Sequence, residues 1–217
     1  MAVDRPGAQQ WVPAGGGLEQ LRTAADGCQG CELHGPATQT VFSTGSPLAR
    51  VALVGEQPGD AEDRAGVPFV GPAGGLLNRA LDAAGLDRGT CYVTNAVKHF
   101  RFTPTPKRRL HQTPDLAHLQ ACRPWLRAEL AVVDPEIVVC LGATAARALF
   151  GPTFRVTRQR GQLYPRSARR PDPALVQSGW LMATVHPSAV LRATDSDAAF
   201  DALVRDLAVA AQALVSG

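Results

Sequence analysis

Four short runs are apolar at nearly every position: Arg50–Gly55, Tyr92–Val97, Ile137–Leu141 and Leu181–Val185. Runs of this length without alternation read as strands buried on both faces, as in a parallel sheet. Between and beyond them apolar residues recur at helical spacing, which predicts helices over Gly17–Ala25, Gly74–Ala84, Pro114–Val132, Ala143–Phe150 and Asp197–Val215. The last is the clearest: Phe200, Leu203, Val204, Leu207, Ala211 and Leu214 share one face behind Asp195, Ser196 and Asp197 as candidate caps. Strands alternating with helices predict an α/β fold, a mostly parallel four-stranded central sheet with helices on both faces. Internal repeats and low-complexity tracts are absent. Residues 1–16 read as a flexible lead-in, followed by one domain over 17–217.

Composition agrees with an ordinary globular domain: 217 residues, 45% hydrophobic and 19% charged, are enough to bury a sizeable core. The net charge of +3 is modest, but it is unevenly placed. Lys107, Arg108 and Arg109 run together, and Arg155, Arg158, Arg160, Arg166, Arg169 and Arg170 crowd a second stretch. Such runs are most often solvated faces, yet two of them flanking candidate site segments favour a polyanionic partner. No apolar run approaches membrane-spanning length. The start carries no basic and apolar leader pattern, and five cysteines, an odd number, argue against a disulfide framework. The expectation is a soluble, cytoplasmic, reduced protein that acts as a monomer.

Cys28 and Cys31 form a C-x-x-C pair in the polar stretch DGCQGCEL. With Cys122 and one further donor they would satisfy tetrahedral zinc or an iron–sulfur cluster, since both take four soft or borderline ligands. Cys140 lies inside an apolar run and reads as core, and Cys91 opens another strand-like run.

In open parallel sheets ligands sit beyond the carboxyl ends of the strands. Those positions are polar here: Gly55-Glu56-Gln57-Pro58-Gly59-Asp60 after the first run, Thr94-Asn95 within the second, Gly142-Ala143-Thr144 after the third, His186-Pro187-Ser188 after the fourth. One crevice would collect Glu56, Asn95 and His186. The segments GEQPGDAEDRAGVPFVGPAGGLLNRAL, TNAVK, LGATAA and HPS resemble the iron–sulfur members of the uracil-DNA glycosylase superfamily, over about Gly17 to Leu214. The resemblance implies a doubly wound, three-layer α/β glycosylase with a flipped uracil in the pocket at the sheet's carboxyl end. It implies that Phe69 stacks on uracil and that Asn95 reads its Watson–Crick edge, which cytosine presents with donor and acceptor reversed. His186 would stabilise the negative charge on the departing base. Gly55 and Asp60 would line the substrate site, and Ser188 with the Gly142–Thr144 turn would hold phosphates.

The family's 4Fe-4S cluster is held by four cysteines, and here the third position reads Lys98-His99. The resemblance thus implies Cys28, Cys31, His99 and Cys122 as ligands, with Cys91 as the competitor for the fourth place. Histidine replaces cysteine on iron in other clusters. A second departure, Thr105-Pro106-Lys107-Arg108-Arg109-Leu110-His111, is similar to the UdgX branch and implies that His111 is a covalent nucleophile. Glu56 would orient it, Arg109 would fix the loop and contact the phosphate or the imidazole, Gln57 would shape the water position, and Lys107 and Arg108 would steer phosphate. Single-stranded DNA is the expected substrate, because flipping a base out of a duplex costs a few kcal/mol of unpairing and unstacking.

Overall fold

The computed structural model describes residues 5–166 and 179–216. Arg169 and Arg170 of the second basic stretch lie outside them. The four apolar runs are strands β2 (Val51–Gly55), β3 (Cys91–Asn95), β6 (Ile137–Leu141) and β8 (Trp180–Thr184). They pair in parallel in the order β3-β2-β6-β8, so the chain winds outward in both directions from the β2–β6 pair. The sheet is larger than the expected four strands. Two short antiparallel edges, β1 (Ser43–Thr44) beside β3 and β7 (Tyr164–Pro165) beside β8, bring it to six. These edges have no run of their own to betray them.

The five anticipated helices appear as α1 (Leu18–Ala25), α3 (Pro72–Ala83), α4 (Leu116–Val133), α5 (Ala143–Phe150) and α8 (Ser196–Ser216). Two hydrophobic clusters cover the two faces of the sheet. One holds Ala52, Val54, Val138 and Cys140 against Leu21, Trp125 and Leu126, and the other holds Leu53, Val139 and Met182 against Leu77, Leu203 and Leu207. Three further helices escaped the pattern: α2 (Asp60–Ala65), α6 (Val156–Gln159) and α7 (Pro187–Val190) are too short to show a period. The basic insertion is a two-stranded hairpin, β4 (Phe102–Pro104) and β5 (Arg109–His111), with Lys107 and Arg108 exposed at its tip.

From Arg5 onward the first residues make specific contacts with the body of the fold. Arg5 grips Glu32 through two side-chain nitrogens and reaches Asp115 at 3.1 Å, and the Gly7 N–H donates to the Gly30 carbonyl at 2.9 Å. Gly30 has no room for a side chain: a Cβ there would lie 2.8 Å from Ala8 N. The first residues therefore strap the Cys28–Cys31 turn to the body of the fold.

Candidate functional site

A cavity of about 520 Å³ opens at the carboxyl ends of β2, β3 and β8, lined among others by Glu56, Phe69, Asn95, His111, His186 and Ser188. It lies beside the β2–β6 junction, where the winding reverses and open α/β sheets bind ligands. The sheet thus brings together the three residues anticipated for one crevice and adds His111 from the hairpin.

Phe69 projects from the loop before α3 with φ 58°, the left-handed region that a bulky residue occupies only when its surroundings hold it there. Glu62 supplies that hold: its carboxylate accepts the Gly59 N–H at 3.0 Å and the Gly71 N–H at 2.9 Å. Gly55 leaves space beneath the ring. A Cβ at that position would sit 2.2 Å from Asn95 Oδ1 and 2.7 Å from Phe69 Cζ. Asn95 is 2% exposed, and its Oδ1 is buried without a hydrogen-bond partner among the described residues. A buried polar atom left unpaired costs about 1–3 kcal/mol, so it marks a place where a ligand donor belongs.

His186 caps the short α7. Its Nδ1 accepts the Ser188 N–H at 3.1 Å and lies 2.8 Å from Ser188 Oγ. Nδ1 is therefore the unprotonated nitrogen, and Nε2 carries the hydrogen. Burial pushes its pKa down to about 4 against the pull of Glu56, so the ring is neutral at ordinary pH. Ser188 is spent on orienting this imidazole. Glu56 is shared: Oε2 accepts from the Thr144 hydroxyl, and Oε1 lies 3.2 Å from His111 Nε2. Burial alone would raise the Glu56 pKa, but the bonds from His111 and Thr144 outweigh it, and the carboxylate stays ionised. Thr144 is 5% exposed and committed to Glu56, so the Gly142–Thr144 turn does not present its hydroxyl to a phosphate.

The hairpin is tied down from beneath. Arg109 is bound by Asp60, by Asp63 Oδ2 at 2.6 Å and by Thr38 Oγ1 at 3.1 Å, and its guanidinium lies 4.9 Å from the Phe102 ring centroid and 5.4 Å from that of Phe100. Both Arg109 and Asp60 are thus consumed in anchoring: the described contacts of Asp60 are to Arg64 and Arg109. Gln57, 7% exposed, accepts the Arg101 N–H at 3.0 Å and donates to the carbonyls of Arg101 at 3.2 Å and Gln112 at 3.1 Å. Its amide closes the mouth of the hairpin. Phe100 escaped the sequence reading, which anticipated Thr144 as part of a phosphate-holding turn and not as a partner of Glu56. The alternating aromatics of His99-Phe100-Arg101-Phe102 are the one signal that pointed to Phe100.

Cys28, Cys31 and Cys122 share one hydrophobic cluster and lie near enough for a charge on one to raise the proton affinity of another. Sγ of Cys28 accepts from Trp125 Nε1 at 3.2 Å, and Sγ of Cys122 accepts from the Lys98 N–H at 3.3 Å. Among the described residues no three such donors converge tightly enough for a single ion. Soft, buried sulfurs, two of them accepting N–H bonds, suit the chemistry of an iron–sulfur cluster, whose binding must displace protons, because burial pushes the Cys122 thiol up to about 12. The Thr40 hydroxyl donates to the Ala25 carbonyl and so accepts from His99 Nε2 at 3.0 Å, which leaves the lone pair of this neutral ring on Nδ1. Cys91 drops out as a competitor. It lies in the opposite cluster at the start of β3, with its thiol on the Asp87 carbonyl at 3.4 Å. Cys140 is fully buried core, as expected.

Fold and site together define a doubly wound α/β protein with its binding crevice at the switch point of the sheet. A model of the uracil DNA glycosylase superfamily matches residues 42–208, and the chain belongs to that family. Among its relatives, the type-4 uracil-DNA glycosylase of Pyrobaculum aerophilum is 34% identical over 175 residues, covering 81% of this chain and 85% of that enzyme. The type-4 enzyme of Thermotoga maritima is 37% identical over 135 residues, 62% of this chain and 67% of its own length. A DNA polymerase of Bacillus phage SP01 is 32% identical over 171 residues, 78% of this chain but 16% of the polymerase. No helix among the described residues is long and apolar enough to cross a membrane.

Proposed function

We propose that this protein excises uracil from single-stranded DNA and captures the resulting sugar on His111, as a UdgX-type member of its family acting as a monomer. The observation that carries the reading is His111 Nε2 placed 3.2 Å from the Glu56 carboxylate, over the cavity that Asn95 and His186 line.

Uracil stacks on Phe69, and the unpaired Oδ1 of Asn95 accepts its N3–H. Cytosine has no hydrogen there and would leave the atom unpaired, which is a strong basis for rejection. As the bond from C1′ to the base breaks, the electron pair leaves with uracil, and His186 Nε2–H donates to O2, where negative charge develops. A neutral histidine suits this role, since it stabilises the anion without having to surrender a proton. Glu56 stabilises the positive charge left on the sugar. The His111 ring, held nearby, forms a new bond to C1′ through a nitrogen lone pair before water can diffuse in, and the proton on its other nitrogen passes to Glu56 or solvent. Imidazole attached to a sugar is a poor leaving group, so each molecule reacts once. Lys107 and Arg108 at the hairpin tip contact phosphate, and binding weakens with salt.

Cys28, Cys31, Cys122 and His99, through Nδ1, would hold a 4Fe-4S cluster, whose contribution is structural: it joins the N-terminal turn, the segment after β3 and α4. The test is to mix the protein with a single-stranded oligonucleotide carrying one uracil, denature, and resolve on a gel. A protein-sized shift that needs uracil and vanishes in His111→Ser, while uracil release persists, supports capture. Strand scission after alkali without any shift would mean a turnover glycosylase, with the basic hairpin only steering DNA.

A further inference from the structure

Behind the carboxyl end of β3 two opposite charges are buried completely: the Lys98 side chain is 1% exposed and that of Glu129 is 0% exposed. The ammonium donates to Glu129 Oε2, to Thr94 Oγ1 at 2.6 Å and to the main-chain carbonyl of Asn95 at 3.0 Å, and it stands 5.1 Å from the Phe42 ring centroid. Glu129 Oε1 accepts from the Tyr92 hydroxyl at 2.8 Å and lies 2.9 Å from Thr94 Oγ1. The main chain of the same segment is equally committed. Ala96 and Val97 N–H donate to the carbonyls of Gly55 and Glu56 at 2.9 and 3.0 Å, and Lys98 N–H donates to Cys122 Sγ.

Taking two charges out of water costs several kcal/mol each, and apolar residues of similar volume commonly stabilise a fold as well or better. Stability alone is therefore a poor account of the pair, whereas its position suggests another. Asn95 keeps Oδ1 without a partner, so that atom cannot orient the residue in the absence of ligand. The main chain must then supply part of the orientation, and Lys98 is the side chain that grips the Asn95 carbonyl. We propose that the Lys98–Glu129 pair is a positioning device that holds Asn95 at the geometry in which its amide reads a base edge. The inference rests on the reading of Asn95 as the uracil reader.

The test is a cycle under single-turnover conditions with protein in excess. The double variant Lys98→Met, Glu129→Gln removes both charges while leaving an acceptor for Tyr92, and it is placed in the wild-type and the Asn95→Ala backgrounds. In the wild-type background, uracil release from a single-stranded oligonucleotide falls about 100-fold, the scale on which a misplaced group costs rate. In the Asn95→Ala background it falls less than about twofold, because residues acting through one another are not additive. Affinity for a thymine-containing strand and the melting temperature change little. Equal losses in both backgrounds, or no loss in either, overturn the proposal. Should the double variant not fold, Glu129→Gln alone is run through the same two backgrounds with the same pattern expected. A wild-type protein that releases no uracil overturns the functional reading instead.

Discussion

Replacing Arg109 with alanine removes the anchor of the hairpin that carries His111, and its cost follows from the partners left behind. Asp63 is fully buried, its carboxylate held by Arg109 Nη1 at 2.6 Å and by the Thr38 N–H at 3.1 Å. Breaking a buried pair costs about 3–5 kcal/mol. Because the Thr38 N–H remains and the Arg109 side chain is 16% exposed, the lower end, about 3 kcal/mol, applies. The Asp60 arm adds less than about 1 kcal/mol, since that carboxylate is 43% exposed and keeps Arg64. Stacking on Phe100 and Phe102 adds about 0.5–1 kcal/mol more. Gln57 at the hairpin's mouth and the His111–Glu56 contact remain, so the loss falls on docking of the hairpin. Together the Asp63, Asp60 and ring contributions make a loss of about 4 kcal/mol, which corresponds to about a 1,000-fold smaller docked population relative to the open one. Adduct formation, followed as the gel-shifted band over time, should fall by up to that factor. Uracil release, measured in parallel as alkali-labile sites, should stay within about threefold, because Asn95 and His186 share no partner with Arg109. Equal loss of both activities, or loss of neither, would refute the assignment of Arg109 as an anchor.

Three further outcomes are expected. Gly55→Ala drives a Cβ into Asn95 Oδ1 and the Phe69 ring, costing about 1–3 kcal/mol of stability and at least about 100-fold in uracil release; release at the wild-type rate would show that the pocket floor is not where we place it. The His186 pKa is depressed in the fold, so the unfolded chain takes up this proton first and stability falls as pH drops from 6.5 towards 4. That component is about 3 kcal/mol at pH 4 and should be missing from the acid dependence of urea unfolding in His186→Asn. Arg5→Ala frees the strap over Gly30, and since Arg5 and Glu32 are partly exposed the loss is about 1 kcal/mol, read as a lower melting temperature. No change on melting would mean that the strap adds nothing to stability.

The sequence by itself determined the architecture's centre and the ends that carry chemistry. Strands buried on both faces must be apolar throughout, and long helices must repeat their apolar residues, so four strands and five helices were legible to within a few residues. Glu56, Asn95 and His186 were legible as a group because polar residues directly after buried strands have nowhere to go but the crevice. Tertiary structure decided which polar atoms are free and which are spent. Asp60, Thr144, Ser188 and Gln57 follow the strands along the chain as polar groups without evident partners, yet each bonds a partner many residues away or a neighbouring ring, and pattern carries no information about pairing across such distances. The same holds for Cys91, since only the folded sheet shows that Cys28, Cys31 and Cys122 lie on the face opposite to it. It holds for the first residues too, whose contacts with Glu32 and Gly30 join segments more than twenty residues apart. Short elements such as α2 and the basic hairpin form because caps, a buried aspartate and two phenylalanines receive them, and those contacts exist only after the chain has folded.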